Sequence, residues 1–433
     1  MKMKFPSLII SCLAIVFIFA SCNETSTKEE SSIKKTKSYE YSMIWPEVKK
    51  NLDSNPSLSK EELYEAISLA GKFIARSADT IGRFSYVVNT NPDVKITPSY
   101  NMLRHAGAVY SLGMYYELSG DPEACEASTR AMDYVKQTAL GPVTDGTYGI
   151  WTFKDITLLD KPAQVKLGGC GLGILAMSAC LKCDPYFLER EKMVGMGEFI
   201  VFMQKKNGGF VSKYIPDRGG KYRKWNSLYY PGEAILGLMY LNRVHPDQKW
   251  VASAIHGMSY LAEGRKGQAE VEPDHWALIA TNQLVNYIDN NEKYASFKQP
   301  FIDHAVQICE FILNTRAKFE EGSPYTGCFG FDGRTTPTAT RLEGLLNAYT
   351  YIPEDYVELR KRMEVAIHEG VAFLVRSQIK EGDFIGGIPR TYIADSNIPR
   401  NINTKHKRNT EIRIDYPQHA LSAMILYHEI FYE

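Results

Sequence analysis

The chain has 433 residues, 44% of them hydrophobic, an ordinary fraction for a globular protein of one large domain or two medium ones. Lysine plus arginine number 50 and aspartate plus glutamate number 50, so no global field draws the protein to a polyanion, and nucleic acid is excluded as an expected partner. The 27 tyrosines, 19 phenylalanines and 5 tryptophans go mostly to the core, but such faces also stack on sugar rings while their polar tips share hydrogen bonds with hydroxyls.

Lys2 and Lys4 precede an apolar run over 8–20 that is too short for a comfortable membrane span and reads as a signal peptide. It ends in Phe19-Ala20-Ser21-Cys22, which resembles the lipobox of bacterial lipoproteins, where small residues precede a cysteine that is lipidated. The resemblance implies a signal over 1–22, a lipid anchor on Cys22 and a place in the bacterial cell envelope, with the membrane as a partner through that anchor. Residues 23–38 are Ser, Thr, Glu and Lys with little to bury, so 23–55 reads as a flexible tether and lead-in. The later cysteines, Cys125, Cys170, Cys180, Cys183, Cys309 and Cys328, are scattered and read as mostly buried thiols. Cys180 and Cys183 form a lone CxxC without nearby histidines, so no metal site is expected there. No Gly-rich phosphate loop appears, and no cofactor is expected.

From 58 onward, apolar residues recur every three to four positions, which predicts a nearly all-α body over 56–433. Six predicted helices are charged on one side: 61–78, 122–139, 185–205, 248–263, 301–317 and 356–378. Six others are rich in Gly, Ala and Leu nearly all round and begin near Tyr100, Gly168, Tyr230, Asp274, Thr338 and Asp415, a pattern that implies burial on more than one side. Alternation of the two kinds is what two concentric rings require, an outer one meeting solvent and an inner one covered on both sides. That is an (α/α)6 toroid.

The pattern over 56–433 resembles the six-hairpin glycosidase superfamily and its toroidal relatives among polysaccharide lyases and sugar epimerases. Two turns support it locally, 204–210 (Gln-Lys-Lys-Asn-Gly-Gly-Phe) and, more loosely, Gln378 with Gly386-Gly387, each ending an outer helix. The resemblance implies a central cleft that handles an oligosaccharide or polysaccharide, with the first turns of the inner helices gathered at its mouth.

Those first turns carry Tyr100-Asn101 with Arg104-His105, Tyr230 with Glu233, Asp274-His275-Trp276, Arg341 with Glu343, and Asp415-Tyr416 with His419. Each has a plainer reading. Asp274, Asp415 and Glu233 sit beside prolines at helix starts, where a carboxylate caps free amides. The tyrosines and histidines can be core groups. Arg104 and Arg341 resist that reading, because a cation near a helix start opposes the helix dipole and needs a carboxylate or an anionic ligand. Glycoside hydrolysis needs two carboxyls, one protonated and one ionised, and Glu233, Asp274, Glu343 and Asp415 supply the inventory. The leading expectation is Glu233 or Asp274 as acid and Asp415 as base, with Trp276, Tyr230 and Trp151 as sugar platforms. Tyr100, Asn101, Arg104 and His105 also suit a uronate lyase, and His275, His419, Glu233 and Arg341 a sugar epimerase. A lipoprotein that binds a glycan without altering it is the remaining alternative.

Overall fold

The computed structural model describes residues 58–152, 162–187, 189–395, 398–400 and 402–432; Cys22 and the tether lie outside them. Among the described residues are twelve α-helices: α1 Lys60–Arg76, α2 Met102–Ser119, α3 Pro122–Thr138, α4 Leu167–Cys183, α5 Arg190–Met203, α6 Tyr230–Val244, α7 Gln248–Arg265, α8 His275–Asp289, α9 Lys298–Asn314, α10 Thr335–Tyr351, α11 Val357–Ser377 and α12 Asp415–Phe431. The even-numbered helices form a closed inner ring, each packed on the next, and α12 returns to pack on α2. The odd-numbered helices lie outside. The expected (α/α)6 toroid is the observed fold.

Local chemistry sets the helix boundaries. Ser59 and Glu62 form a reciprocal capping box that starts α1, while Asn101, Asp121 and Asp247 accept from early amides of α2, α3 and α7. Helix α4 has nearly every residue buried, because it touches α2 and α6 as well as its outer neighbours. Its glycines permit the approach: a Cβ on Gly171 would stand 2.2 Å from the backbone oxygen of Glu233, so α4 and α6 meet backbone to backbone at that level.

The connections are unequal on the two rims. Turns from an inner to the next outer helix are short, such as 120–121 and 245–247, whereas those from outer to inner are long, such as 77–101, 204–229 and 378–414. The long connections carry the strands. A two-stranded antiparallel sheet pairs β1 (Val87–Asn89) with β7 (Glu411–Arg413), with Val87 opposite Arg413 and Asn89 opposite Glu411. A five-stranded antiparallel sheet runs in the order β2 (Leu140–Pro142), β3 (Tyr148–Thr152), β4 (Gln164–Lys166), β5 (Lys213–Ile215), β6 (Gly220–Tyr222). The β1–β7 pair joins the first hairpin to the last and places Arg413 immediately before α12.

Candidate active site

A cavity of about 680 Å³ opens at the rim of long connections, and every inner helix contributes to its wall. Arg104, Leu172, Glu233, His275, Arg341 and His419 come from α2, α4, α6, α8, α10 and α12 in turn. The wall also holds Tyr230, Trp276 and Tyr416, together with Trp225 and Tyr229 from the connection before α6. The expected rim constellation is therefore largely assembled, although its members do different work.

Glu233 is 5% exposed and its Oε2 has no hydrogen-bond partner. Burial, aided by the charge of Asp274, pushes its carboxyl up to about 8, so it carries its proton at neutral pH. Its position depends on the missing side chain of Gly168, where a Cβ would stand 1.7 Å from Oε2.

Asp415 is the opposite case. Burial alone would raise its pKa, but Arg104 and Arg413 overcome that and hold it below the usual carboxylate range. Arg104 Nε donates at 2.9 Å, and Arg413 donates from Nε at 2.5 Å and from Nη2 at 2.8 Å. Arg104 also donates to Tyr86 Oη at 3.0 Å. A carboxylate taking three charge-assisted hydrogen bonds is a poor base, because protonating it forfeits them. The structure thus argues against the general-base role expected for Asp415 and makes it the anchor of two arginines.

Asp274 is fully buried but does not line the cavity. One oxygen caps α8 by accepting from Ala277 N at 3.1 Å, and the other accepts from Arg265 at 2.7 Å. Its capping reading prevails over the acid role considered for it. Tyr100 and His105 are also withdrawn from the wall. Tyr100 Oη lies 2.7 Å from His105 Nδ1 and His105 Nε2 donates to Ala131 O at 2.8 Å, a closed network in which burial pushes the imidazole down to about 4. Asn101 both lines the cavity and caps α2. Trp151, expected as a sugar platform, lies on β3 with its Nε1 donating to Pro142 O at 3.2 Å and is not part of the cavity wall.

Three residues form an acid–base cluster across three helices. Glu343 of α10 hydrogen-bonds His419 Nδ1 of α12 at 2.7 Å. Burial works against charging His419, but the Glu343 carboxylate outweighs it and the imidazole is held above its usual range. Burial also raises the Glu343 carboxyl. His275 packs edge-on against His419, with ring centroids 5.6 Å apart, and its Nε2 is 3.9 Å from Glu343 Oε2. Both nitrogens of His275 lack hydrogen-bond partners, and burial first, then the charges of His419 and Arg341, holds the ring well below its usual pKa, hence neutral. One ligand atom from each of His275, Glu343 and His419 lies within 4.8 Å of the others. Two imidazoles and a carboxylate are a donor set that divalent transition metals accept, although the His419–Glu343 hydrogen bond would have to open to admit one. The spacing in sequence did not announce this set, since its members are separated by 68 and 76 positions.

The sequence reading missed four arginines of the wall: Arg334, Arg390, Arg408 and Arg413. Arg408 pairs with both oxygens of Glu411 at 2.8 and 2.9 Å, and Arg334 pairs with Asp332. For Arg390, Arg408 and Arg413 the usable signal was the concentration of cations in 390–413, which lies in the longest outer-to-inner connection and so on the functional rim.

No protein-family model matches the chain, and no curated protein matches it in sequence. Solved structures do match. A D-mannose isomerase is 14% identical with a TM-score of 0.58, covering 86% of this chain and all of its own. Cellobiose 2-epimerase from Bacillus thermoamylovorans is 12% identical at 0.58, covering 85% of this chain and 98% of its own. An unsaturated glucuronyl hydrolase specific for heparin is 14% identical at 0.54, covering 86% and 98%. An α-1,6-mannanase from a Salegentibacter species is 11% identical at 0.55, covering 84% and 98%. At these identities the likeness is one of fold alone, the (α/α)6 toroid.

Proposed function

We propose that this protein is a carbohydrate-processing enzyme that moves a proton at the carbon beside a sugar carbonyl, most simply as an isomerase. The observation that carries this reading is His419 in the cavity wall, held from behind by the buried carboxyl of Glu343. Glu343 holds the Nδ1 side of the ring, which leaves Nε2 as the nitrogen for substrate and makes the imidazole a stronger base, while Glu233 keeps a proton at neutral pH.

In an open-chain aldose, His419 Nε2 takes the proton from C2 while Glu233 gives its proton to the carbonyl oxygen O1, forming a neutral enediol. His419 then returns its proton to C1 as Glu233 recovers one from the C2 hydroxyl, which yields the ketose and restores both groups. Glu343 stabilises the imidazolium formed between the steps. His275 stays neutral beside His419, packed edge-on against it, and limits the ring's orientation. A single base works on one face of the enediol, and that favours transfer between neighbouring carbons over inversion at one carbon.

Glu233 also supports a second reading, glycoside hydrolysis, because a buried acid with a raised pKa suits protonation of a leaving oxygen. The engagement of Asp415 by two arginines removes the base expected for it. Anchoring through Cys22 in the bacterial envelope, with a glycan supplied outside the cytoplasm, belongs to the same proposal and is supported by the lipobox resemblance.

The test is proton NMR of the purified protein with reducing sugars and oligosaccharides in D2O. Ketose signals with deuterium at the exchanging carbon, lost in His419→Ala, are the expected result. Configuration change at C2 with deuterium would make it an epimerase. New reducing ends would make it a hydrolase, and line broadening without reaction a binding protein.

A further inference from the structure

Six arginines stand in the cavity wall, and their acid partners are too few. Asp415 serves both Arg104 and Arg413, Glu411 serves Arg408, and Asp332 serves Arg334. Arg341 and Arg390 have no carboxylate partner among the described residues; Arg341 donates only to Pro337 O, at 2.9 Å. Glu233 does not offset them, since it carries a proton, and the charge of Glu343 is turned to His419.

The backbone gathers these cations on one side. Arg334 forms a bridge with Thr391, Thr335 N donates to Arg390 O at 3.1 Å, and Arg390 N donates to Glu411 O at 2.7 Å, which ties the start of α10 to 390–391 and β7. Arg341 follows within α10. The inner helices also turn their N-terminal ends to this rim, adding positive potential that favours an anion and opposes an arginine. Burial depresses the pKa of both Arg341 and Arg390, and the charge of Arg334 depresses both further, the expected consequence of holding cations together without a counter-charge. The aromatic side chains of Trp225, Tyr229, Tyr230 and Trp276 give the same cavity surfaces for a sugar ring.

We propose that the ligand of this cavity is an anionic sugar, whose oxyanion is taken by Arg341 and Arg390 while its ring packs on the aromatic residues. This deepens the carbohydrate reading above and rests on it. The guanidinium fork fits a planar carboxylate and a tetrahedral sulfate or phosphate ester alike, so the shared chemistry is a negatively charged substituent on a sugar.

Calorimetric titration of the purified protein with D-glucose, D-glucuronate, glucose 6-sulfate and glucose 6-phosphate tests it, at low and at high salt. At least one anionic sugar is expected to bind about ten- to a hundredfold tighter than glucose, the range for hydrogen bonds to a charged group, with the advantage shrinking in salt. The preferred anion identifies the substituent. Arg390→Ala and Arg341→Ala are expected to remove the advantage, and Arg390→Lys to restore part of it, with circular dichroism confirming that each variant folds. Glucose binding as tightly as every anionic sugar would overturn the anion assignment alone, as would a preference that survives both alanine replacements. Failure of all four to bind would overturn the carbohydrate reading with it.

Discussion

Replacing Glu233 by glutamine separates the cost of this carboxyl from its use. The folded protein holds it at about 8 against an ordinary value of 4.5, so between those pH values the native state keeps a proton that the unfolded chain has released. The native state then binds more protons, and stability must fall as pH rises, by 1.36 kcal/mol per pH unit for one group. The contribution is fully present below about pH 4.5 and is lost by about pH 8. Between pH 5 and pH 8 the wild type should lose about 4 kcal/mol relative to Glu233→Gln, which has no proton to release there. The amide adds a constant offset, about 1–3 kcal/mol if its second N–H stays unpaired, but this cancels when the difference is followed with pH. Guanidinium chloride unfolding of both proteins at pH 5, 6, 7 and 8 measures the difference. The variant should gain stability over wild type with rising pH while losing about 10²–10⁴-fold in activity, since it cannot deliver a proton. A stability difference that is flat with pH would mean that Glu233 ionises normally in the folded protein, and its assignment as the acid would be wrong.

Substitutions at three other positions separate chemistry from architecture. Glu343→Gln removes the charge that keeps His419 above its usual range, so burial should take the ring below it; nitrogen-15 NMR of the imidazole follows that fall, and activity should drop about 10²–10⁴-fold. Gly168→Ala puts a methyl where the Glu233 carboxyl lies, and a carboxyl displaced by about 1 Å should cost about 100-fold in turnover with the toroid intact by circular dichroism. Asp274→Asn retains an oxygen for the α8 cap, whereas Asp274→Ala loses it and leaves Arg265 without its carboxylate. The alanine variant should be destabilised by about 2 kcal/mol or more in denaturant titration, with both variants keeping the substrate affinity of the wild type, because Asp274 does not line the cavity.

Much of the rim was legible because helix starts are local features. A proline or asparagine beside a carboxylate, followed by an apolar run, marks where an inner helix begins, and a closed ring brings those starts together. Glu233, His275, Arg341, Asp415 and His419 were found in this way. The same local signal could not separate Asp274 from Asp415. Both stand at the start of an inner helix next to a tyrosine, tryptophan or histidine, yet one accepts the α8 amide and the other accepts Arg104 and Arg413. Asp415 is engaged by Arg104, 311 positions away, and by Arg413, two before it, whereas Asp274 caps its own helix and accepts from Arg265.

The fold follows from local pattern, because amphipathic outer helices and all-round apolar inner ones demand two concentric layers whatever their detailed packing. Protonation and pairing follow instead from how the helices come together. Whether a carboxyl in this protein is a proton donor, an anchor or a cap depends on the desolvation and charge around it, and those are set by residues that the chain brings together only when α12 closes the ring on α2.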